Sequence, residues 1–272
     1  MIVQPAGPAL YRPGPPLCDY IDYIGYWQHG GDVPHRSTAL PRGAVTIVIE
    51  LGERDLVDFA AVGAPPGQVP AAFITGAGTT SYVTQIEPGQ TVMTVHFRPG
   101  GARPFLGIPL GELQDRCVGI EDIWGTAART LRESLTGTSS AADRITLLEG
   151  FLLGCIRVHD DPLRGLLPLL DAEPSITVSE VAALTELSPK RLASLFSSQV
   201  GLGPKPYLRV RRLQAALRHL DVGTQRGAQI AADLGYCDQA HFVRDFRALT
   251  AITPSQYPSR RSSLPSHLDL VT

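Results

Sequence analysis

The chain has 272 residues, of which 43% are apolar and 18% are charged, a composition typical of soluble globular proteins and of about two domains. No apolar run reaches the roughly 18–20 residues of a membrane-spanning helix, which argues against an integral membrane protein. Met1–Tyr11 has no basic stretch followed by an apolar core, so we expect no secretory signal, and four scattered cysteines predict reduced thiols in a cytosol.

The net charge of −2 conceals two halves of opposite sign. Residues 1–173 carry 12 arginines and 19 acidic residues, whereas residues 174–272 carry 12 basic and 7 acidic residues. An acidic half joined to a basic half is typical of a polyanion-binding module attached to another domain.

The first 110 residues have the pattern of short strands separated by proline and glycine. Four segments of strand length are rich in valine, isoleucine or aromatic residues: Tyr20–Gln28, Ala44–Leu51, Tyr82–Ile86 and Thr91–Phe97. They predict an antiparallel sandwich or barrel. A barrel of this size either encloses a small-molecule cavity or is filled by its own side chains, and the sequence leaves both open.

Helical patterns begin after about residue 111. Asp122–Thr136 predicts a short helix, and Ser140–Val158 predicts an amphipathic helix with Ser140 as its N-cap. The second of these helices either packs within the chain or pairs with a second copy. From Pro162 to about Leu249 the chain is predicted to be helical, beginning with a helix from Asp161-Pro162 to Leu170.

These patterns divide the chain into a β-rich domain over residues 1–160 and a helical domain over residues 161–261. The tail over residues 262–272 is polar, so we expect it to be disordered.

Two segments of the basic half share one pattern, Val178–Phe196 and Ala228–Phe246. In each, an alanine is followed four residues later by a turn position, Glu186 in the first segment and Gly235 in the second. A second helix with an apolar pair follows each turn. This is the spacing of a helix-turn-helix, whose turn residue adopts a left-handed backbone that glycine reaches without strain. A basic helix over Pro204–Leu220 is predicted to join the two units.

Further residues accompany the two units in a characteristic order. They are Val181-Ala182, Leu187-Ser188-Pro189, Leu192, Leu195-Phe196, Val200-Gly201-Leu202-Gly203-Pro204, Tyr207-Leu208, Arg212-Leu213, Ala216-Leu217, Ile230-Ala231, Gly235-Tyr236, His241-Phe242, Arg244-Asp245-Phe246 and Thr253-Pro254-Ser255-Gln256-Tyr257. Over these roughly 80 residues the chain resembles the DNA-binding domain of AraC/XylS-type transcription regulators. It departs from the family at Ala251, where glycine is usual, and at Pro258, where arginine is common.

The resemblance implies an α+β protein, with an N-terminal β-barrel-like (cupin-like) domain, flanking helices and a C-terminal all-α double helix-turn-helix domain. The segment from His96 to Gly107 resembles a subgroup of these regulators. The implied function is that of a cytosolic, sequence-specific DNA-binding transcription regulator, modulated by a small molecule or a partner on its β-rich sensor or dimerisation domain. Double-stranded DNA, an effector, a second copy and RNA polymerase are the partners to expect, and no membrane.

In a helix-turn-helix, the N-terminal residues of the second helix lie at base edges in the major groove. The side chains predicted to face DNA are Lys190, Arg191, Ser194, Ser197, Gln239, His241, Arg244 and Arg247. Those predicted to contact phosphates from the connecting helix are Lys205, Arg209 and Arg212. We expect Asp238 to be an N-cap, and His241 is explained equally well as a half-buried core histidine.

An enzyme is the main alternative. His29, His35, Glu50 and His96 are candidate metal ligands of the β-rich part, but their spacing is not that of a metal site. A reactive cysteine, as in repair methyl acceptors or redox sensors, lacks a neighbouring basic residue, and no G-x-S-x-G serine motif is present. We therefore expect no catalytic centre, no metal and no cofactor.

Overall fold

A computed structural model describes residues 8–157, 160–223 and 227–270. Its strands, in chain order, are β1 (Ala9–Tyr11), β2 (Ile21–Gln28), β3 (His35–Ala39), β4 (Thr46–Glu50), β5 (Leu56–Ala61), β6 (Gln68–Pro70), β7 (Ala72–Thr75), β8 (Tyr82–Ile86), β9 (Thr91–Phe97), β10 (Cys117–Gly119) and β11 (His267–Asp269). Its α-helices are α1 (Arg103–Leu106), α2 (Ile120–Trp124), α3 (Thr126–Gly137), α4 (Ala141–Cys155), α5 (Leu166–Ala172), α6 (Val178–Thr185), α7 (Pro189–Val200), α8 (Pro204–Val222), α9 (Gly227–Asp233) and α10 (Gln239–Thr250).

The β-rich part is built from two antiparallel sheets. The first has the strand order β1-β2-β9-β4-β7-β10, and the second has the order β11-β3-β8-β5-β6. The predicted α+β fold with a β-rich N-terminal part is confirmed. Both sheets are open, so this part consists of two sheets and is not one closed barrel. Strand alternation gives the first sheet two faces: Ile47 and Ile49 enter its hydrophobic core, while Thr46, Val48 and Glu50 line the space between the sheets.

The flanking helices cover the outer face of the first sheet. The single helix predicted over Asp122–Thr136 is two helices, α2 and α3, because Gly125 between them has a φ of 58°. The helix predicted over Ser140–Val158 is α4, with Ser140 as its N-cap, and Val158 lies outside the described residues. Leucines of α3 and α4 complete the core that Ile47 and Ile49 begin.

The helical part contains two separate cores, one for each helix-turn-helix unit. Its first helix is α5, which begins four residues after the predicted start at Pro162. Each core includes a side chain from the β-rich part, Ala77 in the first unit and Leu40 in the second. The two parts of the chain are therefore packed together, and the predicted boundary near residue 160 stays a prediction.

The expectation of a disordered tail is wrong for residues 262–270. Strand β11 pairs with β3, and Leu268 is buried in the core of the second helix-turn-helix unit with 3% of its surface exposed. The segment is held by the apolar side chain of Leu268 and by backbone hydrogen bonds to the edge of β3. Val271 and Thr272 lie outside the described residues.

Two further findings apply to the described residues alone. None of their helices combines the length and the apolar character that crossing a membrane requires. In the same part of the chain, no group of three or more His, Cys, Asp or Glu side chains is arranged to hold a metal ion.

Candidate nucleic-acid interface

The first helix-turn-helix unit consists of α6 and α7. A capping box starts α6: the Thr177 backbone N–H donates to Glu180 Oε2 at 2.7 Å, and the Glu180 N–H donates to Thr177 Oγ1 at 3.3 Å. The Thr177 backbone N–H, and after it the Thr177 hydroxyl that donates to Oε2 at 2.8 Å, lower the pKa of Glu180. Glu186 ends α6 with a φ of 53°, the left-handed turn predicted there. Ser188 then caps α7, which presents Lys190 and Arg191 to solvent in its first turn.

The C-terminal half of α7 faces the β-rich part of the chain. A Cβ built on Gly111 would lie 2.5 Å from Ser197 Oγ, so this glycine allows the short 3-10 helix Leu110–Leu113 to approach α7 closely. Ser197 is half-buried in this contact. Its predicted place on the DNA-facing surface is therefore corrected, whereas Ser194, one turn earlier, is exposed.

The second unit consists of α9 and α10. Gly235 adopts the predicted left-handed turn with a φ of 72°, and Asp238 is the predicted N-cap, its Oδ1 accepting from the His241 N–H at 2.6 Å. The four residues predicted to face DNA from this unit are all exposed: Gln239, His241, Arg244 and Arg247. The His241 ring lies edge-on to Tyr236 at 5.2 Å, so this histidine covers the core from outside and is not part of it.

A polar network beneath α10 joins the elements of the second unit. Arg209 Nε donates to Asp245 Oδ1 at 2.5 Å, and the Tyr236 hydroxyl donates to Asp245 Oδ2 at 3.0 Å. Arg212 lies over the Tyr236 ring, 5.3 Å from its centroid. Burial and the charge of Asp245 raise the pKa of Tyr236. Two of the three predicted phosphate ligands, Arg209 and Arg212, thus have internal partners, and Lys205 is the exposed one of the three.

A further arginine of α8, Arg211, carries an interaction that the sequence did not indicate. Its side chain is 9% exposed and pairs with Asp171 of α5, which Arg218 also approaches at 3.6 Å. Burial lowers the pKa of Arg211 to about 10. The available signal that this arginine lies on an inward face was the set of apolar residues three or four positions away along α8, Tyr207, Leu208 and Ala215, because residues at that spacing share one face of a helix.

The described side chains also enclose a cavity of about 170 Å³ between the two sheets. Among its lining residues are Tyr23, Val48, Phe59, Phe73, Tyr82, His96 and His267. Of this lining, sequence reasoning singled out Glu50 and His96 alone, as candidate metal ligands, although the alternation along β4 separates its cavity-facing from its core-facing residues. His29 and His35, two of the candidate metal ligands, are absent from the lining, whereas Glu50 and His96 belong to it.

His96 is the most buried ionisable ring of this cavity. It shares hydrogen bonds with Thr94 Oγ1 at 3.0 Å and Thr46 Oγ1 at 3.4 Å, and it stacks on Tyr23 with 4.2 Å between ring centroids. Burial, together with the nearby charge of Arg42, holds the pKa of His96 well below its usual value. The ring is therefore neutral at physiological pH.

Comparison with known proteins agrees with this geometry. Residues 181–260 match the family of a helix-turn-helix domain, and residues 9–119 match a domain of unknown function (DUF6597). The C-terminal region is an AraC-type helix-turn-helix domain. The AraC-type domain is 29% identical over 86 residues to the arabinose operon regulatory protein of Escherichia coli, covering 32% of this chain and 30% of that protein.

Other relatives share the same region. An uncharacterized HTH-type transcriptional regulator of Haemophilus influenzae is 31% identical over 80 residues, which is 29% of this chain and 27% of that protein. The chain spans about a third of the length of the curated relatives it matches. Among solved structures, ToxT from Vibrio cholerae O395 aligns with a TM-score of 0.47 and 9% identity over 89% of this chain and 98% of that one.

Proposed function

We propose that this chain is a sequence-specific DNA-binding transcription regulator with no catalytic activity and no cofactor. The observation that carries the proposal is the pair of capped helices, α7 and α10, whose first turns expose basic and amide side chains. The transcription regulators that share the AraC-type domain support it. The residues that match the helix-turn-helix family, 181–260, include α7 and α10. DNA is therefore the partner that their exposed positive charges fit best.

The exposed side chains divide into base readers and phosphate contacts. Arginine and lysine are suited to the acceptor edge of guanine, and glutamine to adenine. We therefore propose that Lys190, Arg191, Gln239 and Arg244 read bases, and that Lys205 contacts a phosphate, which positions the domain without reading sequence. Ser194, His241 and Arg247 complete the proposed surface. Two units joined by one helix would enter successive segments of the major groove, about 34 Å apart.

The test is a selection of bound sequences from random DNA with the full chain, followed by titration of the selected duplex. We expect Arg244→Ala and Lys190→Ala each to weaken binding by about 1–3 kcal/mol on the selected duplex and less on random DNA. Arg129→Ala is the matched control, because this exposed arginine of α3 pairs with Glu121 on the β-rich part. Failure to enrich any sequence, or equal losses for all three variants, would contradict the proposal.

We also propose that the cavity between the sheets binds a small molecule without net charge. Two charged groups at its wall already face opposite charges: Arg42 donates to Tyr23 and Asp22 at 2.9 Å each, and Glu50 lies 3.7 Å from Arg132. A charged occupant would have to compete with these ion pairs. A neutral polar group can instead donate a hydrogen bond to Glu50 Oε2, which is buried and accepts none within the part of the chain that the structure describes. Thermal unfolding with single-ring alcohols and their carboxylate or amine analogues tests this, and stabilisation by the charged analogues alone would contradict it.

Three expectations go with this proposal and remain predictions. A cytosolic location follows from the role of a DNA-binding regulator. A homodimer through the N-terminal part is supported by exposed Leu147 and Leu153 on α4, which are 40% and 46% exposed. Contact with RNA polymerase is expected of an activator. Sedimentation of the full chain tests the dimer.

A further inference from the structure

The two helix-turn-helix units are attached to different sheets. The first unit contacts the side of the first sheet: Gly111 and Leu110 adjoin α7, and Ala77, which follows β7, enters the core of that unit. Leu110 is itself part of the core beneath the first sheet. Movement of the first sheet is therefore transmitted to α7 through close-packed side chains.

The second unit contacts the side of the second sheet. Leu40, at the end of β3, lies in its core, and the hydroxyl of Ser81, next to β8, donates to the Leu249 carbonyl of α10 at 2.6 Å. Gln214 of α8 donates to the Pro41 carbonyl at 2.7 Å. These contacts come from the start of β8 and the end of β3, which are neighbours in that sheet.

The C-terminal strand β11 links the cavity to the second unit. It is a strand of three residues that pairs with β3, with Leu268 opposite Thr38. Its other edge bridges to Arg261, and the Asp269 N–H donates to the Arg260 carbonyl at 2.7 Å. Its two faces contact different regions: His267 lines the cavity, and Leu268 lies in the core of the second unit. Ser266 also donates to Gln214 Oε1 at 3.0 Å. Strand β11 is therefore a part of the cavity wall that is bonded both to the second sheet and to the segment that follows α10.

We propose that an occupant of the cavity changes the position of the second helix-turn-helix unit relative to the first, and that strand β11 transmits this change through His267 and Leu268. The inference rests on the proposed DNA-binding function and adds the regulation of that function. A molecule between the sheets displaces the second sheet from the first, and since each unit is attached to a different sheet, the second unit moves while α7 keeps its place on the first sheet. A site read by both units then responds to the occupant, whereas a half-site read by the first unit alone does not.

The test replaces the unidentified ligand by a side chain that fills the cavity. Val48→Phe places a ring between the sheets from β4, and Val33→Phe is the matched control, because Val33 is 71% exposed and is not part of the lining. Each change is made in the full chain, in a chain ending at Leu264, which lacks β11, and in a chain ending at Leu270, which keeps it. Hydrogen exchange of the α7 and α10 amides and affinity for a selected duplex and its first half-site are measured.

In the full chain and in the chain ending at Leu270, we expect Val48→Phe to change affinity for the complete site at least about fivefold, the lower end of ordinary allosteric coupling. It should speed exchange in α10 and leave α7 and the half-site affinity unchanged. In the chain ending at Leu264, Val48→Phe should have no effect on affinity. Equal effects with and without β11, or no effect in the full chain, would overturn the proposal.

A second variant guards against a misfolded Val48→Phe chain. His267→Trp places a larger ring in the cavity from β11 itself. We expect this variant to reproduce the change in hydrogen exchange of α10 and in affinity for the complete site. Unchanged exchange in a folded His267→Trp chain overturns the proposal. If the unmodified full chain enriches no DNA sequence, the proposed function fails instead, and the exchange measurements still decide whether β11 couples the cavity to α10.

Discussion

Asp245 points inward from α10 whereas its neighbour Arg244 is exposed, so replacing each should separate stability from DNA binding. Asp245 is 12% exposed and accepts two hydrogen bonds, from Arg209 at 2.5 Å and from Tyr236 at 3.0 Å. Both bonds are made to a charged group, and such a bond contributes roughly 1.5–3 kcal/mol. Arg209 is 34% exposed, so water replaces part of what it loses. We expect Asp245→Ala to lower the stability of the second unit by about 2–3 kcal/mol.

Native-state hydrogen exchange of the α10 amides measures this loss directly, because it reports the free energy of opening for that unit. Tyr236→Phe removes one of the two bonds and should cost about 1.5 kcal/mol, the lower end of the range for a bond to a charged group. Arg244→Ala removes an exposed side chain and should leave exchange unchanged while weakening DNA binding. A loss for Asp245→Ala no larger than that for Tyr236→Phe would refute the view that Asp245 joins α8, α9 and α10.

Two further predictions concern backbone strain and pH. Glu186 and Ala251 have φ angles of 53° and 62°, so replacing either by glycine should raise the thermal unfolding midpoint by relieving about 1 kcal/mol of strain; an unchanged midpoint would contradict this. Burial lowers the pKa of His267 to about 4 and also holds the pKa of His96 well below its usual value, so the folded chain keeps both rings neutral. The unfolded chain binds these protons near pH 6.5, so stability is full above that pH and is lost as the pH falls toward 4, by about 2–3 kcal/mol for His267. Unfolding midpoints at pH 7, 5 and 4 should show this loss, and His267→Asn should show less of it.

The elements that the sequence predicted well are those governed by local chemistry. Strands β8 and β9 have the predicted bounds, and the two turns at Glu186 and Gly235 adopt the left-handed backbone that their spacing implied. The caps at Ser140 and Asp238 form as expected, because a side-chain oxygen bonding two or three residues ahead depends on nothing distant.

The features that escaped prediction depend on contacts between distant parts of the chain. Leu268 and Leu40 share one core although 228 residues separate them, and nothing local distinguishes Leu268 from an exposed leucine in a polar tail. Ser197 lies at a helical position that was predicted to face DNA, but the close approach of Gly111 covers it. Arg209 is of a residue type that often contacts phosphates. Its guanidinium instead donates a hydrogen bond to Asp245, which lies 36 residues later in the sequence.

The same distant contacts make the two recognition helices unequal. In α7 the β-rich part covers the second half around Ser197, so the surface that we propose faces DNA is confined to the first two turns at Lys190, Arg191 and Ser194. In α10 the exposed face continues from Gln239 to Arg247 in the last turn. A longer exposed face can reach more base pairs, so the half-site read by the second unit should be the longer and more sequence-specific of the two in a selection from random DNA. Equal information content in both half-sites would show that the cover over α7 opens when DNA binds.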